Sequence, residues 1–289
     1  MMASPALVIV NPVSGTRSKQ GLEEAVHRLM GAKTEIIYTE YAGHAALLAA
    51  QAANAGIKQV VAAGGDGTVN EIARSLTGTE TALGIIPQGS GNGLARHLRI
   101  PMNRDRAIGV IAASNIKMCD TATAGDMPFF CTMGTGFDAK ISQAFENAPR
   151  RGLLTYTKIA MEQFPHYRPQ PYMIVADNET VTVNAFLVAV CNASQYGNNA
   201  YIAPRASTED GLLDVTIITE GDYSSLALTG LRLFTKGIER SPLIRSMRGR
   251  RITIHRSSPG PVHIDGDAVM MPATVAAECL PGSLKVIVP

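Results

Sequence analysis

The chain has 289 residues, of which 46% are hydrophobic and 17% charged, and its formal net charge is +2. That length is comfortable for two domains with real cores, and the low charged content excludes a disordered chain. The near-neutral balance gives no electrostatic footprint for nucleic acid, which is excluded as the main partner.

Cys119, Cys131, Cys191 and Cys279 stand far apart with no C-x-x-C pair. Buried free thiols in a reducing compartment are therefore expected, and a zinc site is not. The opening residues lack the basic region and long apolar core of a signal peptide, and no apolar run approaches a bilayer span. The expectation is a cytoplasmic protein that meets a membrane only at its surface.

Residues 6–10 form a short apolar run that stops at Asn11-Pro12-Val13-Ser14-Gly15, which reads as a buried strand and a loop. Leu22, Ala25, Val26 and Leu29 then recur at helical spacing. A second strand is read over 35–39, and an alanine-rich helix over 45–55, stopped by Gly56. Val60, Val61, Ala62 and Ala63 read as a third strand, followed at once by Gly64-Gly65-Asp66-Gly67-Thr68. Val69, Ile72, Ala73 and Leu76 give the next helix its apolar face. A fourth strand over 82–86 closes at Pro87, and short helices are read over 94–98 and 107–112. Strands alternating with helices predict a parallel sheet covered on both faces, with its ligand at the edge where the strands end.

Beyond about residue 115 the texture changes. Strands are read over 129–133, 172–175, 181–183, 185–190, 213–218, 251–255, 262–264 and 284–288, and helices over 137–147, 153–164 and 222–236. The expected division is an α/β domain over 1–115, to which residues 281–289 return, and a β-rich domain of two packed sheets over 116–280.

The Gly-rich turn at 64–68 joins a strand to a helix N-terminus, where free N–H groups and the helix dipole point at one spot. Asp66 there makes sense if a cation stands between it and a phosphate, and Mg²⁺ prefers few carboxylates with phosphate oxygens. Asp66 could also cap its own helix, although three flanking glycines exceed what a cap needs. Neither G-x-x-x-x-G-K-[ST] nor G-x-G-x-x-G after a strand occurs, so the chain is neither a P-loop NTPase nor a standard dinucleotide binder. Gly89-Ser90-Gly91-Asn92-Gly93 is a second phosphate cradle or an ordinary turn, with Arg96 facing the phosphates or solvent. Asp138 is either a helix N-terminal charge or a polar group facing a ligand. Glu209, Asp210 and Asp214 surround a glycine that makes either a turn or a cation site. Asp265-Gly266-Asp267 is a hairpin turn or carries a general base. Arg245, Arg248, Arg250, Arg251 and Arg256 could meet anionic head groups or line a solvated edge.

Together these segments resemble the diacylglycerol kinase catalytic family, which includes bacterial lipid kinases, sphingosine kinases and ceramide kinases. The matching motifs run from Asn11-Pro12-Val13-Ser14-Gly15 through 64–71 and 87–96 to 210–214 and Asp265-Gly266-Asp267. The resemblance implies an α/β nucleotide-binding domain of NAD kinase/phosphofructokinase-like type, with a parallel sheet, plus a mainly antiparallel β-sandwich domain. It implies ATP and Mg²⁺, and transfer of the γ-phosphoryl group to a lipid hydroxyl: diacylglycerol first, with sphingoid base or ceramide also open. The partners implied are ATP and a membrane lipid met peripherally, and a homodimer is left open.

By position, Asn11, Ser14, Gly15, Thr39, Gly64, Gly65, Asp66, Gly67, Thr68, Val69, Asn70, Gly89, Ser90 and Asn92 would hold the nucleotide. Asp66 would act through Mg²⁺, and Asp267 would take the proton from the lipid hydroxyl, where the family usually has Glu. Asp138 and Arg96 would face the substrate. Ser207, Asp210 and Leu212 match a structural Mg²⁺ site of bacterial members, the Ser and Leu through their backbone carbonyls. The loop at 89–92 is closer to the sphingosine kinase form than to the usual bacterial one. The rival readings are an NAD kinase and a non-catalytic nucleotide-binding regulator.

Overall fold

The computed structural model describes residues 6–14, 19–146, 148 and 153–289. It divides into two compact units, one comprising residues up to Asp120 with Gly282–Pro289, the other Thr121–Pro281.

The first unit runs β1 (Ala6–Val10), α1 (Leu22–Met30), β2 (Glu35–Tyr38), α2 (His44–Asn54), β3 (Gln59–Gly64), α3 (Asp66–Leu76), β4 (Ala82–Pro87), α4 (Gly93–His97) and α5 (Arg104–Ala113), then enters β5 (Ile116–Ala124). β1 pairs in parallel with β2 and β3, and β3 with β4. The returning end of the chain adds Val286 beside Leu83, also in parallel. Val8, Val10, Val61, Ala63 and Ile86 bury one sheet face against Leu22 and Val26 of α1 and Ile108 and Ile111 of α5. The alternate residues Leu7, Ile9, Val60, Ala62 and Ile85 are also buried. Strand periodicity puts them on the opposite face, where α2 and α3 pack. Double-sided burial explains why these strands read as unbroken apolar runs.

The second unit continues with β6 (Met127–Phe129), β7 (Thr132–Gly136), α6 (Phe137–Glu146), α7 (Leu153–Gln163), β8 (Gln170–Ala176), β9 (Glu179–Cys191), β10 (Leu213–Thr219) and α8 (Tyr223–Arg232). It closes with β11 (Ile244–Gly249), β12 (Arg251–Arg256), β13 (Gly260–Ile264), β14 (Asp267–Met271) and β15 (Thr274–Ile287), whose last residues belong to the first unit.

β9 organises this unit. Its first half, Glu-Thr-Val-Thr-Val-Asn, alternates between outward and inward residues and pairs with β8. Its second half, Ala-Phe-Leu-Val-Ala-Val-Cys, is wholly buried and pairs with β7 on one side and β10 on the other. One strand therefore serves two sheets, which is how sandwich corners are made. Met133, Val188, Val215 and Val262 from one sheet share a core with Ile174, Ile252, Ile254 and Val275 from the other. On the far side of β9, Phe186, Leu187 and Ala189 pack under Phe137 and Ile141 of α6 and Leu226 of α8.

Two sequence readings change. Residues 129–133 are not one strand: β6 and β7 are separate, because the N–H groups of Phe130, Cys131 and Thr132 all turn to the Asp265 carboxylate. Residues 181–183 and 185–190, read as two strands, are one. The four cysteines are buried and none is in a disulfide. Among the described residues, no helix is long and apolar enough to cross a membrane.

Candidate active site

β1, β2, β3 and β4 run parallel, so their C-terminal ends share one edge. Val10 lies level with Tyr38 and Ala63, and Gly64 with Pro87. Asn11, Ser14, Thr39, the turn at 64–68 and the loop at 89–92 are thereby gathered there. Gly15 lies outside the described residues.

Asn11 links the first loop to the third. Its Nδ2 donates to Thr68 Oγ1 at 3.1 Å, while its Oδ1 accepts the N–H groups of Val13 and Ser14. Thr39 is buried and its N–H donates to the Val10 carbonyl. Lys19 Nζ donates to the carbonyls of Pro12 and Ser14.

The two glycine loops lie against one another. Asp66 Oδ2 accepts the Asn92 N–H at 2.8 Å, and Oδ1 the Gly93 N–H at 2.7 Å. The carboxylate thus caps α4, not its own helix, and latches one loop to the other. The glycines follow from that contact. A Cβ on Gly91 would lie 2.6 Å from Asp66 Oδ2, one on Gly89 2.8 Å from the Gly65 Cα, and one on Gly64 2.5 Å from the Thr68 side chain. Asn92 adopts a positive φ, which Asn tolerates better than most residues, and its amide closes the loop on the Gly89 N–H and carbonyl. Arg96 Nε donates to the Gly91 carbonyl, bracing the same loop. Ser90 is exposed.

Gly67 is different. Among the described residues, a Cβ there would meet nothing within 4 Å. It stands in the first turn of α3, whose N-terminal cap residue, Gly65, has no side chain to bond the first N–H groups. Open space beside uncapped N–H groups at the positive end of an eleven-residue helix suits an anion. Val69 is buried and faces the core, and Asn70 is half-buried one position further along the helix.

In the second unit, the two acids of the hairpin separate. Asp265 is half-buried, and its carboxylate holds three backbone N–H groups at 2.8 to 2.9 Å. Burial pushes its pKa up to about 6, and those N–H groups oppose the rise. Those bonds hold the hairpin against the segment Phe130–Thr132. Asp267 opens β14 and is exposed. Asp265→Ala would strip three buried donors of their acceptor, and an expected loss of about 3 kcal/mol or more follows. The folded pKa of about 6 lies above the unfolded carboxylate value, so this group's stabilisation is full below about pH 4 and lost as pH rises through 6. Urea unfolding at pH 4.5 and pH 7 should therefore show the larger cost of the substitution at the lower pH.

Asp138 is buried. Its Oδ1 accepts the Ala139 N–H, and its Oδ2 accepts from Tyr196 Oη and from His263 Nε2, both at 3.1 Å. His263 Nδ1 is buried without a partner. Gly134 makes room, since a Cβ there would lie 2.4 Å from Asp138 Oδ2. The sequence reading did not join Tyr196 and His263 to Asp138, which lie 58 and 125 residues away. Only strand pairing of β13 on β7 brings His263 to it.

Of the three residues matched to a structural Mg²⁺, Asp210 has its side chain engaged by protein partners. Asp210 Oδ1 accepts the Leu212 N–H, and Oδ2 is paired with the Arg248 guanidinium. Arg248 Nε also reaches Asp214 at 3.1 Å. The guanidinium stands on the carboxylate through which Asp210 would meet a cation, while Ser207 and Leu212 would contribute backbone carbonyls. Among the described residues no group of three or more His, Cys, Asp or Glu is placed to hold a metal. Without nucleotide, the melting temperature is expected to be equal in EDTA and in excess MgCl₂. An ion at 100 times its dissociation constant would add about 2.7 kcal/mol and be plain in the same scan. Of the other arginines, Arg251 pairs with Glu278, and Arg256 is spent on Thr135 and on the carbonyls of Pro261, Met271 and Pro272.

Comparison with known proteins places this geometry. Residues 131–288 match the model described as YegS C-terminal NAD kinase beta sandwich-like domain, which defines the class: a parallel α/β unit joined to a sandwich of that type. Residues 5–124 match the diacylglycerol kinase catalytic domain, and the chain belongs to the diacylglycerol kinase family. A Mycobacterium tuberculosis protein named diacylglycerol kinase is 31% identical, across 97% of this chain and 94% of its own length. An uncharacterized Synechocystis protein, sll0036, is 31% identical over 80% of this chain, which spans about half (54%) of that relative. A crystal structure of a diacylglycerol kinase from Bacillus anthracis str. Sterne shares the fold, with a TM-score of 0.77 at 22% identity, covering 100% of this chain and 98% of its own.

Proposed function

We propose that this chain is an ATP-dependent lipid kinase that transfers the γ-phosphoryl group to a lipid hydroxyl, with diacylglycerol as the first acceptor to test. The single observation that carries the reading is the α3 N-terminus. Uncapped N–H groups stand beside the open space at Gly67, held rigid by the Asp66 latch. Phosphoryl transfer needs mainly positioning and charge neutralisation, and this turn supplies both for a triphosphate.

In this reading residues 64–70 bear on the phosphates, with Asn11 positioning Thr68. Ser14, Thr39, Ser90 and Asn92 shape the same edge. Each Asp66 oxygen keeps one lone pair beyond its N–H bond, so the carboxylate fits a Mg²⁺ that takes its other ligands from nucleotide and water. Mg²⁺ bound there would neutralise phosphate charge. Asp267, exposed at the start of β14, accepts the proton of the lipid hydroxyl. Asp138, closed in by Tyr196 and His263, supports the acceptor side from behind. Arg96 acts on its own loop, not on the lipid.

Consumption of ATP by the purified chain is measured with diacylglycerol, sphingoid base, ceramide, NAD and no acceptor. Turnover with one of the lipids is expected. Turnover with NAD alone would make the chain an NAD kinase, and ATP binding without turnover would make it a regulator.

A further inference from the structure

The outward face of α8 is apolar where a solvated helix should be polar. Leu226 and Thr229 point into the core, as helical spacing requires. The opposite stripe carries Leu228 and Leu231, exposed by 50% and 67%, and Phe234 one turn further on, exposed by 53%. Charge on this stretch has one sign. From Tyr223 to Ile238 there is no Asp or Glu, while Arg232 and Lys236 lie within it and Arg240 just beyond. Asp222, before it, is consumed in capping α8 through the Ser225 N–H. Glu239, after it, is paired with Arg205.

We propose that this face, Leu228, Leu231 and Phe234 with Arg232 and Lys236 beside them, docks on an anionic bilayer surface. Apolar side chains flanked by cations are the composition of an interfacial helix, and each basic residue near an anionic leaflet adds to the attraction. A second copy is the weaker occupant. A two-fold contact would bring the same patch against itself and set its cations face to face. The proposal rests on the lipid-kinase reading, since an acceptor held in a bilayer must be met there.

The full chain is sedimented with phosphatidylcholine vesicles with and without about 30% phosphatidylglycerol. Binding is expected to be at least about tenfold tighter with the anionic lipid. The triple variant Leu228→Ser, Leu231→Ser, Phe234→Ser is expected to bind at least about tenfold more weakly. Its melting temperature and its turnover of diacylglycerol dispersed in detergent should be unchanged. Vesicle binding that is absent in the parent, or equal in parent and variant, overturns the proposal. So does a parent dimer in solution that the triple variant splits. Absent micellar turnover with variant-sensitive vesicle binding counts against the kinase reading and supports the docking face.

Discussion

Asp66→Ala is expected to lower ATP-dependent turnover at least about a hundredfold, and also to cost about 2 to 4 kcal/mol of stability. The second effect comes from the latch. Both carboxylate oxygens accept main-chain N–H groups from the facing loop, and alanine leaves those donors without a partner. The first effect is expected from the same contact, because the N–H groups at the start of α3 keep their position only while the two loops stay joined. Asp66→Asn separates the two. One oxygen can still accept a loop N–H, so about half of the stability loss should return, while the charge that a divalent ion would need is gone. Activity near the parent level in Asp66→Asn would exclude the cation role. An unchanged melting temperature in Asp66→Ala would exclude the latch.

The second large effect is expected at Asp267. Asp267→Asn should reduce turnover by about 10² to 10⁴, the range for losing a general base. ATP affinity, read by titration, should stay within about twofold, because the side chain lies in the unit that does not contain the glycine turn. Asp267→Glu restores the carboxylate with one more methylene and should retain most activity. An unchanged rate in Asp267→Asn would remove Asp267 from the chemistry. The base would then be sought at Asp265 or elsewhere, the Asp265 carboxylate already accepting the N–H groups of Phe130, Cys131 and Thr132.

The α/β unit was legible because its signals are local. Each buried strand is a short apolar run, and each is followed by turn chemistry within five residues. The sandwich was legible in kind but not in detail. β5, β11, β14 and the part of β15 before residue 284 went unread: β11 mixes Arg245, Ser246 and Arg248 with Ile244 and Met247, as an outer strand does, and β14 starts on the exposed Asp267. β9 was split because its pattern changes from alternating to continuous at Ala185, where it leaves one sheet for the other. At the site, residue types were readable and partners were not. Asp66 stood out among its glycines, yet its partners lie 26 and 27 residues on. Asp265 and Asp267 looked equivalent in the sequence, and contacts more than 130 residues away made one a scaffold and left the other exposed.

The crowding around the glycine loops sorts their residues into two kinds of constraint. At Gly64, Gly89 and Gly91 any added carbon collides with a neighbour, so selection for abundance alone would preserve them. At Gly67 the protein itself imposes no such demand. A library scored once for soluble yield and once for turnover should show alanine accepted at 67 in the first screen and rejected in the second, marking the position whose emptiness belongs to the ligand.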